Sequence, residues 1–185
     1  MKYNHIMVDI ESTGTNPVDS AMIQLAGVRF NLEEAEIDMQ MFDRCLAIPQ
    51  NRYWDEGTRE WWGQQDHRII EDIYSRMEPP ARVLQDFVTW VQRDLDPYED
   101  TVFLWAKPIS FEYPFIESYC RQFEVSRPFH YRNANDLNSW CRARGLPDLS
   151  QEIEVQGDAH NALHDVLHQI QVLFTLMERT NVQVA

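Results

Sequence analysis

Asp9 and Glu11 stand two residues apart inside an apolar run, in the stretch HIMVDIESTGTNP from His5 to Pro17. Residues two apart on a strand project from the same face. The two carboxylates therefore point together, at the place where the strand breaks into a turn. An unpaired buried charge is very costly, and two like charges this close need cations. Oxygen ligands suit Mg²⁺ or Mn²⁺. The plainer reading is a solvated edge strand with two exposed acids. A further acid, Glu112, lies near the start of an apolar-faced helix in WAKPISFEYPFIESYC. Taken alone, it also reads as an acid complementing the helix N-terminal dipole. In GDAHNALHDVLHQIQ, Asp165 follows His160 by five residues. Five residues of ideal helix turn through about 500°, which sends the two side chains apart. They converge if His160 lies in the approach loop and Asn161 caps the helix carrying Asp165. A histidine on such a loop suits a general base.

The elements that must position these residues are legible as an α/β pattern. Ile6–Val8 starts a short apolar strand, and Ser12–Asp19 is turn-rich, with Gly14 and Asn16-Pro17 as breakers. Ile23–Phe30 and Ile37–Cys45 read as a second and third strand, joined closely enough to form an antiparallel meander. No Gly-rich phosphate loop is present. Thr58–Gln65 reads as a helix, as does the stretch after Pro79-Pro80, where Leu84, Phe87, Val88, Val91 and Leu95 fall at helical spacing. Thr101–Trp105 is a buried strand. Phe111, Phe115, Ile116, Tyr119 and Phe123 mark the next helix, and Phe129–Arg132 is expected as a last strand. Asp136–Arg144 should be helical and stop at Gly145. A final helix carries Leu163, Val166, Leu167, Ile170, Leu173, Phe174 and Met177. With no repeat and no linker, one α/β domain over residues 1–185 is expected.

Composition bounds the function. Of 185 residues, 44% are hydrophobic and 25% charged, an ordinary globular profile. The net charge of −14 argues against broad electrostatic attraction to nucleic acid or anionic membranes. It does not exclude a nucleic-acid enzyme, because metal ions at a carboxylate site reverse the sign locally. Cys45, Cys120 and Cys141 form no zinc or redox pattern, and a reduced, cytoplasmic setting is expected. No leader and no membrane-length run is seen.

Two carboxylates on one strand, one acid after another strand and a His-x4-Asp at a helix start form one set. This set resembles the DEDDh 3′–5′ exonucleases, the proofreading-exonuclease-like branch of the ribonuclease H-like fold. MVDIESTGTNPVDSAMIQLAGVRF is similar to the first motif of that family, FLWAKPISFEYPFI to the second and HNALHDVLHQI to the third. TREWWGQQ and YRNANDLNSW are similar to segments of its ribonuclease T-like and exonuclease VIII-like members. The resemblance implies a mixed central sheet of about five strands flanked by helices. It implies that Asp9, Glu11, Glu112 and Asp165 are the metal-binding acids and that His160 is the general base. Two Mg²⁺ or Mn²⁺ ions about 4 Å apart would serve phosphodiester hydrolysis. Single-stranded 3′ ends or overhangs, with RNA favoured over DNA, would be the substrate, and a nucleoside 5′-monophosphate the product. Many small relatives are homodimers, so a homodimer is implied as well. The chain departs from the family at Glu112, where aspartate is usual. The added methylene could move a bound ion by about an ångström, a displacement that costs on the order of a hundredfold in rate.

For substrate contacts, Thr13 and Gly14 are expected to leave room for the terminal nucleotide, and Trp62 and Phe111 to contact bases. Trp61, Trp105, Tyr113 and Tyr131 are further aromatic candidates, with core packing as the plainer reading. Arg127, Arg132, Arg142 and Arg144 give the basic enrichment, and Lys107 is within sequence reach of a phosphate role. Two rival readings stand beside this one. His160, His164 and His168 recur every four residues and would hold zinc on a continuous helix face. Alternatively Glu112 marks a degraded site, leaving a nucleic-acid-binding module on the same fold.

Overall fold

The computed structural model describes residues 2–180; Met1 and residues 181–185 of the expected domain lie outside the described residues. Seven strands form one mixed sheet in the order β5-β4-β2-β1-β6-β7, with β3 also pairing β2. The longer strands are β1 (His5–Ser12), β2 (Met22–Asn31), β4 (Phe42–Leu46) and β6 (Phe103–Ala106). The shorter ones are β3 (Glu36–Ile37), β5 (Met77–Glu78) and β7 (Ala134–Asp136). The β1, β2 and β4 strands run antiparallel as the short connections require, while β6 joins β1 in parallel through a helical crossover. The helices are α1 (Glu56–Trp62), α2 (His67–Ser75), α3 (Pro80–Gln92), α4 (Ile109–Gln122), α5 (Leu137–Ala143) and α6 (Ala162–Thr180).

The two-residue period of β1 divides the core. Ile6, Val8 and Ile10 face α3 and α4, packing with Val83, Leu84, Phe87, Phe115 and Ile116. Met7 faces the other way, into a layer with Leu137, Val166, Ile170 and Leu173 of α5 and α6. Asp9 and Glu11 continue the Met7 row, so alternation alone carries both acids toward α6. Residue types that favour strands and helices agree with this arrangement. Asp55, Asp66 and Asp136 cap α1, α2 and α5 with their carboxylates, and Pro80 opens α3.

Three expectations on element bounds are corrected. The expected strand Ile37–Cys45 divides into β3 and β4, because Asp38 turns inward to the fully buried Arg29 while also accepting from the Gln40 N–H. The last strand is Ala134–Asp136, not Phe129–Arg132; a 3-10 turn at Tyr131–Asn133 intervenes, capped by the His130 ring. The helix α2 is an addition. Its Asp66 cap and its Ile69, Ile70 and Ile73 spacing carry the signal, but the helix is short and half polar.

The register of β1 on β2 shifts between Glu11 and Ser12, where a bulge opens the pairing beside Met22. Tyr119 of α4 fills that opening. Its hydroxyl accepts from the Met22 N–H (2.8 Å) and lies 3.2 Å from the Met22 carbonyl. Bulges re-aim side chains next to sites, and this one sits at the end of the acid pair. Tyr119→Phe leaves these buried groups unpaired and should cost about 1–3 kcal/mol in urea unfolding; an unchanged midpoint would contradict this role for the hydroxyl.

Candidate active site

Each acid reaches the site by a different local device. Asp9 and Glu11 come from β1, on the α6 side of the sheet. Glu112 sits in the first turn of α4, whose leading Ile109 N–H is held by Asp136 Oδ2 at 3.1 Å. That anchor fixes the start of α4 to the end of β7. Asp165 lies in the first turn of α6, and Asn161 caps the helix by accepting from Leu163 N–H at 3.1 Å. The buried Gln24 of β2 adds a second cap, accepting from the Ala162 N–H.

His160 precedes this helix in the left-handed region, at φ 64°. The turn directs its backbone N–H at Asp165 Oδ2 (3.2 Å) and brings its ring back over the site. Ligand atoms of Glu11, His160 and Asp165 all lie within 4.8 Å of one another, the one such group found among the described residues. The His160 ring packs edge-on against Trp61, with centroids 4.7 Å apart.

Asp9 and Glu112 complete the set from its two sides. Asp9 repels Asp165, and Glu11 repels Asp9, Asp165 and Glu112. Burial, and then this mutual repulsion, pushes the carboxyls of Asp9 and Glu11 well above the usual range. Burial first and Asp9 second push Glu112 up to about 9. Burial also raises Asp165, against the opposing pull of His160. The charged groups that act most strongly on the four are one another, Asp136 and the rings of His160, His164 and His168. Glu112 is 3% exposed, and its Oε2 has no hydrogen-bond partner. A buried, orphaned carboxylate oxygen among like charges is a donor set that fits a hard divalent cation. The longer arm of glutamate at this position still carries the carboxylate to its neighbours.

A cleft of about 380 Å³ opens directly from Glu11, lined by Ser12, Gly14, Thr15, Trp61, Trp62 and Phe111 among others. The structure thus brings Gly14, Trp62 and Phe111 to one place. Trp62 is 4% exposed, with its indole N–H donating to the Ser12 carbonyl, so it forms wall, whereas Trp61 is 39% exposed and presents the accessible ring. Gly14 is required by packing: a Cβ there would meet Ser20 Oγ at 2.3 Å and Asp55 Cβ at 2.8 Å. Thr13 does not line the cleft. Its buried hydroxyl bridges the Tyr53 carbonyl and the Ala21 N–H, and its backbone bonds Ala21 and Asp55, so it braces the loop from behind.

Other candidates lie elsewhere. Trp105 is buried, donating to His5 Nδ1, and Tyr113 bonds Glu117 and Arg127. Arg142 faces Asp136, while Arg132 and Arg144 lie over Tyr131 and Trp140. Lys107 is taken up by Asp148 and Ser150. The three-histidine zinc face does not form. The Asp158 N–H donates to His164 Nδ1 at 2.9 Å, and His168 Nε2 lies 2.8 Å from the Ile153 carbonyl. Both rings brace the loop that delivers His160. Gln169, which sequence reasoning passed over, donates from Nε2 to Asp9 Oδ1 at 2.8 Å. Its signal was a polar residue one helical turn after Asp165.

Known proteins resemble this chain in sequence and in fold. A family model described as the 3′–5′ exoribonuclease Rv2179c-like domain matches residues 4–177. An oligoribonuclease of Nitrosomonas eutropha is 27% identical over 179 residues, covering 92% of this chain and 91% of the relative. One from Pseudomonas fluorescens is 25% identical over 175 residues, covering 90% of each. The crystallographic structure of the nuclease domain of 3′hExo, a DEDDh family member bound to rAMP, superposes with a TM-score of 0.72 at 16% identity, over 99% of this chain and 96% of that one. The zinc-bound E. coli ExoI–ssDNA complex gives 0.70 at 15% identity, over 95% of this chain and 40% of that one. These superpositions establish the ribonuclease H-like fold of the DEDDh exonucleases.

The raised carboxyls make a pH prediction. The folded chain retains a proton on Glu112 that the unfolded chain releases above about pH 4. Stability of the metal-free protein therefore falls as pH rises from about 4 toward 9. Glu112→Gln should raise the metal-free Tm at pH 8 by at least about 2–4 °C, the shift for one kcal/mol in a chain of this size. Saturating Mn²⁺ should stabilise the wild type more than the variant. A variant less stable than wild type in chelator would contradict the repulsion.

Proposed function

Because the chain belongs to the 3′–5′ exoribonuclease Rv2179c-like domain family, we propose that it hydrolyses single-stranded RNA from the 3′ end, releasing nucleoside 5′-monophosphates. The observation that carries this is the convergence of four acids, Glu11 and Glu112 buried and Asp9 and Asp165 half-buried, with His160 beside an aromatic-walled cleft. The naming of its relatives as oligoribonucleases supports RNA over DNA. Two divalent ions, Mg²⁺ or Mn²⁺, would be held by Asp9, Glu11, Glu112 and Asp165, and supply positive charge against the phosphate and a lowered water pKa.

The remaining steps belong to the chain. The terminal nucleotide enters the cleft, with its base against Trp61 and Phe111 and the loop at Gly14 closing the floor. His160 takes a proton from the attacking water. The water oxygen bonds to phosphorus, the bond from phosphorus to the 3′ oxygen breaks, that oxygen takes a proton from solvent to give the shortened 3′ end, and His160 releases its proton to solvent. Trp61 packs edge-on against the His160 ring, and Asp165 holds its backbone, so both limit the orientations the ring adopts. The same reading places the protein in a reducing cytoplasm, in keeping with three buried, unpaired cysteines. No helix among the described residues is long and apolar enough to cross a membrane.

A second reading makes His160 a metal ligand, on its proximity to Glu11 and Asp165. One set of measurements separates them. With end-labelled single-stranded RNA and Mn²⁺, the wild type should shorten the strand stepwise from the 3′ end, and chelator or Asp9→Ala should abolish this. His160→Asn, which tolerates the left-handed backbone, should lower kcat by about 10²–10⁴-fold while Mn²⁺ binding persists. Loss of Mn²⁺ binding in His160→Asn would favour the ligand reading. Binding of RNA without shortening would overturn the enzymatic one.

A further inference from the structure

The side chain of Gln169 is 7% exposed and lies on α6 among the apolar residues Val166, Ile170 and Leu173, which pack against the sheet. An aliphatic residue would serve packing at this position. The amide instead reaches across to β1, its Nε2 donating to Asp9 Oδ1 at 2.8 Å. Its Oε1 is buried and has no partner. Of the side-chain polar atoms buried in this way among the described residues, the other is Glu112 Oε2, from the same acid set. Two orphaned acceptors next to like-charged carboxylates call for donors or cations that arrive from outside the chain.

We propose that Gln169 is a positioning residue of the metal site. Donation from an amide N–H favours the ionised form of Asp9 and fixes its plane. One carboxylate oxygen is thereby occupied by the amide, and the other is left for cations. The unpartnered Oε1 would be available to accept a hydrogen bond from a water at the metal site. Because a neutral amide does this work, Asp9 is oriented without the charge that a lysine or arginine would set against the metal. The assignment rests on the metal-site reading above and adds a residue to it.

Calorimetric titration of Mn²⁺ tests it on the intact chain. Gln169→Met keeps length and apolar bulk but removes donor and acceptor. It should bind Mn²⁺ about 10–100-fold more weakly than wild type, with the Mn²⁺ concentration for half-maximal RNA hydrolysis raised in step. The Tm in chelator should be retained, since packing is conserved. Gln169→Asn, which stays polar but is too short to reach Asp9, should show the same loss. A Mn²⁺ affinity within about twofold of wild type in either folded variant would overturn the proposal. If wild type binds Mn²⁺ and Asp9→Ala abolishes it while Gln169→Met is unaffected, the assignment of Gln169 alone fails. If wild type binds no Mn²⁺, the metal-site reading fails with it.

Discussion

Four carboxylates, two buried and two half-buried, drawn within repelling distance of one another are the constraint on which this structure turns. Burial of a single unpaired charge is costly, and like charges side by side multiply that cost. A fold tolerates such a cluster when protons or cations hold it together. In the absence of metal, protons do so, and the acids are displaced upward from their ordinary range. Stability is given up at the place where a hard cation would be bound, which is how functional sites commonly differ from the surrounding core.

The surroundings of the cluster are cross-braced by hydrogen bonds. The bulge at Glu11/Ser12 is sealed by Tyr119, and Asp136 fixes the start of α4 while also capping α5. The loop bearing His160 is braced by His164, His168 and the Lys107–Asp148 pair. The Tyr119–Met22, Asp136–Ile109 and Lys107–Asp148 braces join segments far apart in sequence, whereas His164 closes its own loop onto Asp158. Carboxylates that repel one another would drift toward solvent without them, and the geometry that a cation needs would be lost before it arrived.

Much of this was legible in the sequence. Alternation placed Asp9 and Glu11 on one face. The five-residue spacing to Asp165 favoured His160 in the approach loop with Asn161 as cap, and His160 stands there in a left-handed turn with Asn161 capping α6. The resemblance to DEDDh exonucleases agrees with the family match and the fold. What sequence could not supply was the use of side chains by distant partners. Thr13 reads as a small loop residue open to substrate, but Tyr53 and Ala21 claim its hydroxyl. Of two adjacent tryptophans, Trp62 is drawn inward by the Ser12 carbonyl, and Trp61 is left facing the cleft. The histidine ladder at 160, 164 and 168 suggested a common face, yet a loop folds back over two of its members. Gln169 carried only the weak signal of its place one turn after Asp165, and its partner Asp9 lies 160 residues away in the chain.

The central claim is that these acids are held apart from solvent in order to share divalent cations. Anomalous diffraction from a crystal grown with Mn²⁺ addresses it directly. Manganese peaks bounded by carboxylate oxygens of Asp9, Glu11, Glu112 and Asp165 are the expected result. Manganese bound elsewhere with no peak beside these four side chains, or Glu112 turned away from Asp9, would contradict it.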